Sequence, residues 1–186
     1  IFSFDRSQTL ADYETRNDIS AQIDAIPGIV SYALSEKIRT NKEIATFIKG
    51  FFTASRGLKT PDTGNIEINF FATSNDAKEY LATIDETEWR ILRFTPSQYN
   101  NEHHESYSSR HNSTSHEVIG QEFDGVVVVI DQLFTYNAQG KLTYTGSTYY
   151  QPVKMLFQNM TRARTRLKII VINNPNVLHA CLNILR

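Results

Sequence analysis

The feature that most constrains the fold is an unbroken apolar run from Gly125 to Ile130, in which most side chains are β-branched. A strand with one face in water alternates apolar and polar residues, whereas this run contains no polar residue. Strands of this kind usually lie inside a parallel sheet that helices cover on both faces. The run therefore predicts an α/β domain, and a chain of 186 residues is long enough to form one such domain with a sizeable core.

Further strand and helix patterns agree with an α/β domain. Leu167 to Ile172 is a second continuous apolar run, and strand patterns also occur at Ile66 to Thr73 and Trp89 to Thr95. Gln132 to Thr145 holds two alternating aromatic runs, which predict a β-hairpin with Gly140 at its left-handed turn position. Five helices are also expected. Two of them follow N-caps: one begins after Thr40 or Asn41, and one runs from a cap at Ser74 or Asn75 to about Ile84. The others are expected at Tyr13 to Ile26, at Tyr149 to Met160, and from Pro175 onward.

The composition limits the classes of binding partner and the cellular compartment that are expected for this chain. The formal net charge is -1 and the isoelectric point is near 6.6, so nucleic acid would have to be bound through local basic clusters. The single cysteine, Cys181, excludes an internal disulfide, fits a reducing cytoplasmic location, and is expected to be a small buried residue. No run is long enough to span a membrane, so a membrane partner is not expected. Because Ile1 already lies in an apolar pattern, we expect the sequence to be a fragment of a longer protein.

A run of arginines separates the expected helix that ends at Met160 from the apolar run after it. Arg162, Arg164 and Arg166 alternate there, and the pattern places them near the C-terminal end of the helix. The guanidinium group is always charged, and its planar fork matches phosphate oxygens. Arginines in a last helical turn also stabilise the helix dipole, so solvated capping is the alternative for each of them.

The segments that precede the two buried runs resemble motifs V and VI of superfamily 1 helicases. Residues 114–124 read T-x-H-x-x-x-G-x-E-F-D, and residues 161–163 read T-R-A. Further upstream, Leu34 to Thr40 reads L-x-x-x-x-R-T before a helix and is similar to motif IV. The opening strand ends in D-x-x-Q at Asp5 and Gln8, which is similar to motif III. The chain looks like a lobe of a UvrD-like helicase, and its E-F-D-x-V and T-R-A-R segments are similar to those of Schlafen-like helicases.

The resemblance implies a fold and an activity. It implies a RecA-like, three-layer α/β domain of the P-loop NTPase type, with a mainly parallel sheet and an inserted β-hairpin, over residues 1–186. This domain would be the C-terminal lobe of an ATP-dependent DNA or RNA helicase. Its partners would be the N-terminal lobe of the same parent chain and single-stranded nucleic acid, DNA in the first place. ATP and Mg2+ would be bound mainly by the N-terminal lobe, because the phosphate-loop motif G-x-x-x-x-G-K-[ST] occurs nowhere in this sequence.

The resemblance also implies roles for individual residues at the nucleotide. Arg39 and Arg162 would stabilise the charge that develops on the γ-phosphate, as arginine fingers do. Gln8 would sense the γ-phosphate and relay its presence to the nucleic-acid side. Glu122 would accept hydrogen bonds from the ribose, and Gly120 would belong to the same nucleotide-binding segment. Because the phosphate loop is missing, the chain alone is expected neither to hydrolyse ATP nor to unwind a duplex.

Two further residues, Thr114 and His116, would face single-stranded nucleic acid. The sequence departs from the family pattern at one position in each of two motifs. Ile119 stands where a lysine commonly precedes the glycine, and Phe4 stands where a glycine commonly precedes the aspartate.

Other interpretations of these residues stay open. The opening segment could be a decayed Walker B motif with Arg6 in place of the catalytic glutamate. The hairpin tyrosines could stack on bases or pack across the strands. The polar segment Gln98 to Ser113 is rich in histidine, but the spacing fits no closed site and no metal is expected. The whole chain could also be a non-catalytic module that binds single strands or a protein, or a nuclease, although it lacks a paired-carboxylate metal motif.

Overall fold

The computed structural model describes residues 10, 19–30, 40–53 and 64–185. In this part of the chain, one sheet is formed by β1 (Ile66–Phe71), β2 (Arg90–Arg93), β3 (Ser113–Thr114), β4 (Phe123–Ile130) and β7 (Ala163–Ile172). A separate hairpin is formed by β5 (Phe134–Tyr136) and β6 (Leu142–Tyr144). The helices are α1 (Ile19–Asp24), α2 (Lys42–Thr53), α3 (Ser74–Ala82), α4 (Pro152–Met160) and α5 (Pro175–Ile184), with one 3-10 helix at His103–Ser106.

Strands β4 and β7 lie in the interior of the sheet, whose strand order is β1-β7-β4-β2-β3. All neighbouring strands in this sheet run parallel, and Val126 of β4 lies opposite Leu167 of β7. Every residue from Gly125 to Ile130 is buried. The two apolar runs are therefore confirmed as interior strands of a mainly parallel sheet in an α/β domain.

Helices cover both faces of this sheet. Val126, Val128 and Ile130 point to one face, where they pack with α2, α4, α5 and the hairpin. Val127 and Val129 point to the other face, where they pack with α3. Within the described ranges, every helix is too short or too polar to span a membrane.

The helix starts follow the expected capping chemistry, with one shift of position. Asn41 caps α2, because its side-chain oxygen accepts a hydrogen bond from the Ile44 N–H at 2.9 Å. The cap of α3 is Thr73, and the expectation of Ser74 or Asn75 is wrong. Thr73 has an extended backbone, which lets its hydroxyl accept from the Asp76 N–H at 3.2 Å. Of the helix expected at Tyr13 to Ile26, the described part is α1, and the expected opening strand lies outside the described residues.

The expected placement of the arginines and of Tyr149 on α4 is wrong. The helix begins only at Pro152, whose ring favours the first helical turn, and Tyr149 lies before it. The helix ends at Met160 and has no basic residue in its last turn. Arg164 and Arg166 lie in β7 instead, because pairing with β4 draws the chain into the sheet from residue 163 onward.

The histidine-rich segment 98–113 is folded against the domain. Glu102 and Glu105 form a capping box around the 3-10 helix, in which the Glu102 N–H donates to the Glu105 side chain at 2.8 Å. His104 is fully buried, and its Nε2 lies 2.8 Å from a Glu102 carboxylate oxygen. The sequence gives no indication of this local structure, because the segment has no apolar periodicity.

The hairpin packs its aromatic side chains against the domain. β5 and β6 pair antiparallel, and Gly140 between them has a φ of 73°. The Tyr136 hydroxyl donates to the carbonyl of Phe51 at 2.9 Å, and its ring lies edge-on to the ring of the same phenylalanine. Both central tyrosines, Tyr136 and Tyr144, are therefore packing residues of the core face.

Cys181 should be inert in the folded chain. It is fully buried, and burial raises the pKa of its thiol from 9.0 to about 12. The thiol therefore binds its proton more tightly in the folded state than in the unfolded state. The stabilisation of the folded chain by this protonated thiol is complete below a pH of 9.0 and is lost as the pH rises toward 12. At a pH of about 8 we expect a thiol reagent to modify the native chain at least ~100-fold more slowly than the urea-unfolded chain. Equal rates for the two states would contradict this expectation.

Candidate functional site

The segments that precede β4 and β7 meet at one edge of the sheet. Parallel strands begin at the same edge, so residues 121–122 and 161–162 are brought side by side, whereas Thr114 pairs with Arg93 at the end of β2. The Phe123 N–H donates to the Arg162 carbonyl at 2.9 Å. These two segments are the ones whose sequences resemble motifs V and VI, and their contact defines the amino edge of the sheet as the candidate site.

Arg162 lies at the centre of this contact. Its guanidinium donates from Nη1 to the carbonyl of Gln121 at 3.1 Å and from Nε to the carbonyl of Gln158 at 3.3 Å. The first bond reaches the loop before β4, and the second reaches the last turn of α4, where backbone carbonyls attract cations. The residue is only 3% exposed. Because the residue is buried, a phosphate could reach this guanidinium only if the surrounding residues moved.

The start of α2 joins the same edge. The Asn41 N–H donates to the carbonyl of Arg164 at 3.0 Å, and its side-chain amide donates to the carbonyl of Thr165 at 2.9 Å. Thr40 contacts the carbonyl of Thr161 through its hydroxyl. Residue 40 directly follows Arg39, which was predicted from the sequence to bind the γ-phosphate. Arg39 and Gln8 themselves lie outside the described residues.

Gly120 and Glu122 form the exposed part of the loop before β4. Gly120 has a φ of 80°, a left-handed conformation that strains any residue with a Cβ. An added Cβ would meet no atom within 4 Å, so the backbone at this turn is open to an approaching ligand. Both residues predicted to bind nucleotide therefore lie beside Arg162 and on the surface.

Thr114 and His116 are placed differently from one another. Thr114 is 6% exposed, and its hydroxyl accepts a hydrogen bond from the Glu117 N–H at 3.3 Å. Glu117 returns the contact, because its carboxylate accepts from the Thr114 N–H at 2.7 Å, and this bond lowers the pKa of Glu117. His116 is half-buried, and its Nδ1 lies 2.7 Å from the Thr95 hydroxyl. Thr114 thus holds the turn, and His116 is the one of the two that reaches the surface.

An aromatic surface surrounds His116. We define it as His116, Tyr150, Tyr149 and Tyr99, which follow one another with ring-centre separations of 4.5, 4.9 and 5.7 Å. Tyr99 is 76% exposed and Tyr149 is 45% exposed. Sequence reasoning missed these two tyrosines, because they come from distant segments and neither belongs to a recognisable motif. Exposed rings of this kind can stack against bases.

A buried polar network lies at the opposite, carboxyl edge of the sheet. Asp131 follows β4 and is fully buried. Its carboxylate accepts from the Tyr107 hydroxyl at 2.8 Å, the Tyr144 hydroxyl at 3.3 Å and the Leu133 N–H at 2.9 Å. Burial, and then the charge of Asp131, hold the pKa of Tyr107 well above its usual range. Because its oxygens are occupied by these donors, we interpret Asp131 as a structural residue of the loop after β4.

No metal centre accompanies these groups in the described parts of the chain. Among them, no set of three or more histidine, cysteine, aspartate or glutamate side chains is arranged to hold a metal ion. The histidines of segment 98–113 are dispersed. His104 points inward to Glu102, His103 lies 3.9 Å from Asp131, and His111 is exposed.

Comparison with known proteins identifies no family for this chain. A scan of the chain against protein-family models finds no match, and a search of curated proteins finds none either. Inferences about the candidate site therefore rest on the residues of this chain and their geometry.

Proposed function

We propose that this chain is the second RecA-like lobe of a superfamily 1 helicase or translocase, of the UvrD-like or Schlafen-like kind, that acts on DNA or RNA. It would act with a nucleotide-binding lobe that carries the phosphate loop and most of the contacts to ATP and Mg2+. The observation that carries this proposal is the meeting of three distant segments at the amino edge of the sheet. Thr40, which ends the segment similar to motif IV, contacts the carbonyl of Thr161, 121 positions away, and Arg162 bonds a residue 41 positions away. These segments are the ones that resemble motifs IV, V and VI, and the parallel sheet with helices on both faces is compatible with a RecA-like lobe.

Arg162 supplies the chemistry expected of this edge. A planar, always charged guanidinium can bind two phosphate oxygens at once, and such a group stabilises the charge that develops during phosphoryl transfer. In the proposed complex, Arg162 and Arg39 face the γ-phosphate, Gln8 senses it, and Gly120 and Glu122 line the nucleotide.

The bonds of Arg162 also suggest how the nucleotide and the nucleic acid communicate. Turning the guanidinium toward a phosphate releases the carbonyl of Gln121 or that of Gln158. Gln121 belongs to the loop that continues back to His116, and the Gln158 side-chain amide donates to the carbonyl of Ser115. Both routes lead to the turn that carries His116. The presence of a γ-phosphate would therefore shift the position of the aromatic surface.

The aromatic surface is the proposed contact to single-stranded nucleic acid. Stacking of a base on an aromatic side chain contributes about 1–3 kcal/mol and tolerates any sequence. His116 and Tyr150 form the inner part of this surface, and Tyr149 and Tyr99 form the exposed part. This arrangement supports binding to unpaired bases more than binding to a duplex, whose bases are already stacked.

ATP hydrolysis tests the proposal. It should be measured for this chain and for the longest natural product that contains it, each with and without single-stranded DNA. We expect no turnover by the chain alone, because the β-phosphate cradle is missing from its sequence. We expect the longer product to hydrolyse ATP and single strands to accelerate it. DNA-stimulated turnover by the chain alone, a natural product of 21.3 kDa, or a longer product without ATPase activity would each contradict the proposal.

A non-catalytic nucleic-acid-binding module is the second candidate, and the exposure of the aromatic surface favours it. Such a module would bind single strands through the same rings without any response to ATP. Binding that is lost in His116→Ala but is equal with and without ATP in the longest natural product would support this alternative over the helicase.

A further inference from the structure

A polar cleft lies on the face of the sheet that α3 covers, away from Arg162. Its volume is about 670 Å3, and it lies between α3 and the segment 101–111. Lys78 of α3, Arg93 at the end of β2, and Arg110 and His111 of the segment all line it. Ser106, Ser108 and Ser109 also line it, and of these the Ser108 hydroxyl donates to the His104 carbonyl at 2.6 Å. No motif recognised in the sequence includes this set of residues.

The two carboxylates that line the cleft are occupied by internal bonds. Glu102 is 6% exposed, and its oxygens accept from the N–H groups of Ser97 and Tyr149 at 3.2 and 2.6 Å. It also lies 2.8 Å from the ring of His104. Glu105 accepts from the Glu102 N–H. Both oxygens of Glu102 are thus engaged within the protein, and one oxygen of Glu105 is engaged by the capping box.

The cationic side chains of the cleft form few contacts within the protein. Arg93 donates from Nε to the carbonyl of Asn112 at 2.9 Å, which fixes the guanidinium and leaves its two terminal nitrogens without a hydrogen bond to any described residue. Glu117 is near enough to Arg93 for its carboxylate to feel the positive charge. Lys78 and Arg110 are exposed and form no ion pair within the described ranges. The cleft therefore presents three cationic side chains that form no ion pair with a described residue, beside two carboxylates of its wall.

We propose that this cleft binds the phosphate groups of a nucleotide, either free or as part of a nucleic-acid strand. A fixed guanidinium fork, flexible cationic side chains and hydroxyl donors form the set of groups that binds phosphate oxygens. The volume lies within the range of small-molecule sites. The proposal does not depend on the helicase assignment, because the cleft shares no residue with the amino edge of the sheet.

The position of the cleft favours the strand as the source of phosphate. Tyr149 bonds the cleft residue Glu102 through its backbone, and Tyr99 stands two residues before the cleft residue Asn101. The aromatic surface therefore lies next to residues that line the cleft. A single strand could stack its bases on the tyrosines while its phosphates occupy the cleft.

Binding of three probes to the full chain tests the proposal: pyrophosphate, ADP and a fluorescent oligothymidine of about 10 nucleotides. The test variant is the double substitution Lys78→Gln and Arg110→Gln, whose side chains are exposed and whose loss should not affect folding. The matched control is Lys49→Gln with Lys141→Gln, which removes the same charge from exposed positions of α2 and the hairpin turn. We expect the test variant to bind the oligothymidine at least ~10-fold more weakly than the original chain. The salt dependence of its binding should correspond to about two fewer phosphate contacts. The control should stay within about twofold of the original chain.

The probes identify the source of the phosphate. Strand binding that ADP and pyrophosphate do not compete with supports the nucleic-acid backbone, and binding of either small probe with the same loss in the test variant supports a free nucleotide. Absence of binding for all three probes, or an equal loss in the test and control variants, overturns the proposal. His116→Ala separates this cleft from the helicase proposal, because loss of the stacking residue should leave pyrophosphate binding unchanged.

Discussion

Replacement of Arg162 by alanine is expected to lower the single-strand-stimulated ATPase rate of the longest natural product by about 10^3-fold or more. The proposed reason is that its guanidinium stabilises charge on the γ-phosphate during transfer. Arg162→Lys should lower the rate as well, because an ammonium group keeps the charge but loses the bidentate fork. Nucleotide binding should fall much less than the rate, since most of the nucleotide contacts are assigned to the other lobe.

Arg164→Ala is the matched control. Arg164 stands two residues further along, its side chain is 58% exposed, and it approaches Asp124 only at 3.9 Å. An exposed pair of this kind contributes little to stability, so the control should stay within about twofold of the original rate. Equal ATPase losses in Arg162→Ala and Arg164→Ala would remove the proposed role from Arg162.

Folding must be measured alongside the rate, because Arg162 is buried. Its removal leaves the carbonyls of Gln121 and Gln158 without these donors, which we expect to destabilise the chain by about 1–3 kcal/mol. Rates should therefore be expressed per folded molecule, at a temperature well below the midpoint of thermal unfolding. A normal rate per folded molecule would mean that Arg162 is a structural residue of the edge and would contradict its catalytic role.

The interior of the fold was predictable from residue patterns because it depends on one dominant effect. The apolar residues of β4 and of the second half of β7 bury both faces of their strands, so their lack of alternation is enough to predict an interior parallel strand. The start of β7 was not predictable in this way. Arg164 and Arg166 have no apolar signal, and only pairing with β4 places them in the strand.

The candidate site was predictable only in part. The resemblance assigned separate roles to residues within 114–124 and 161–163, and the parallel sheet places Phe123 next to Arg162 and Ala163. The resemblance did not predict that Arg162 is buried against backbone carbonyls. Every residue has a backbone carbonyl, so a sequence pattern cannot indicate which of them accept a hydrogen bond from Arg162. The aromatic surface and the cleft depend on a bond between Tyr149 and Glu102, residues 47 positions apart, and no local pattern encodes such a contact.

Asp131→Ala is expected to lower the free energy of unfolding by about 3–5 kcal/mol, because it leaves more than one buried donor without an acceptor. The substitution leaves the buried Tyr107 hydroxyl without its acceptor and removes the bond to the Leu133 N–H that shapes the loop after β4. For a chain of this size, the midpoint of thermal unfolding should fall by about 6–20 °C. Asp124→Ala is the control, because the Asp124 side chain is 73% exposed and its loss should change stability by no more than about 0.5 kcal/mol.

Two further variants separate the charge of Asp131 from its hydrogen bonds. Asp131→Asn keeps an acceptor oxygen in the same place but removes the negative charge that His103 approaches at 3.9 Å. The double variant Asp131→Ala with Tyr107→Phe removes both partners of the shortest bond, so it should be at least about 1 kcal/mol more stable than the sum of the single effects predicts. If the free energy of unfolding of Asp131→Asn is close to that of the original chain, and the double variant recovers stability, the carboxylate acts as a hydrogen-bond acceptor. If Asp131→Ala is as mild as Asp124→Ala, the network does not hold the carboxyl edge together, and the structural role assigned to Asp131 is wrong.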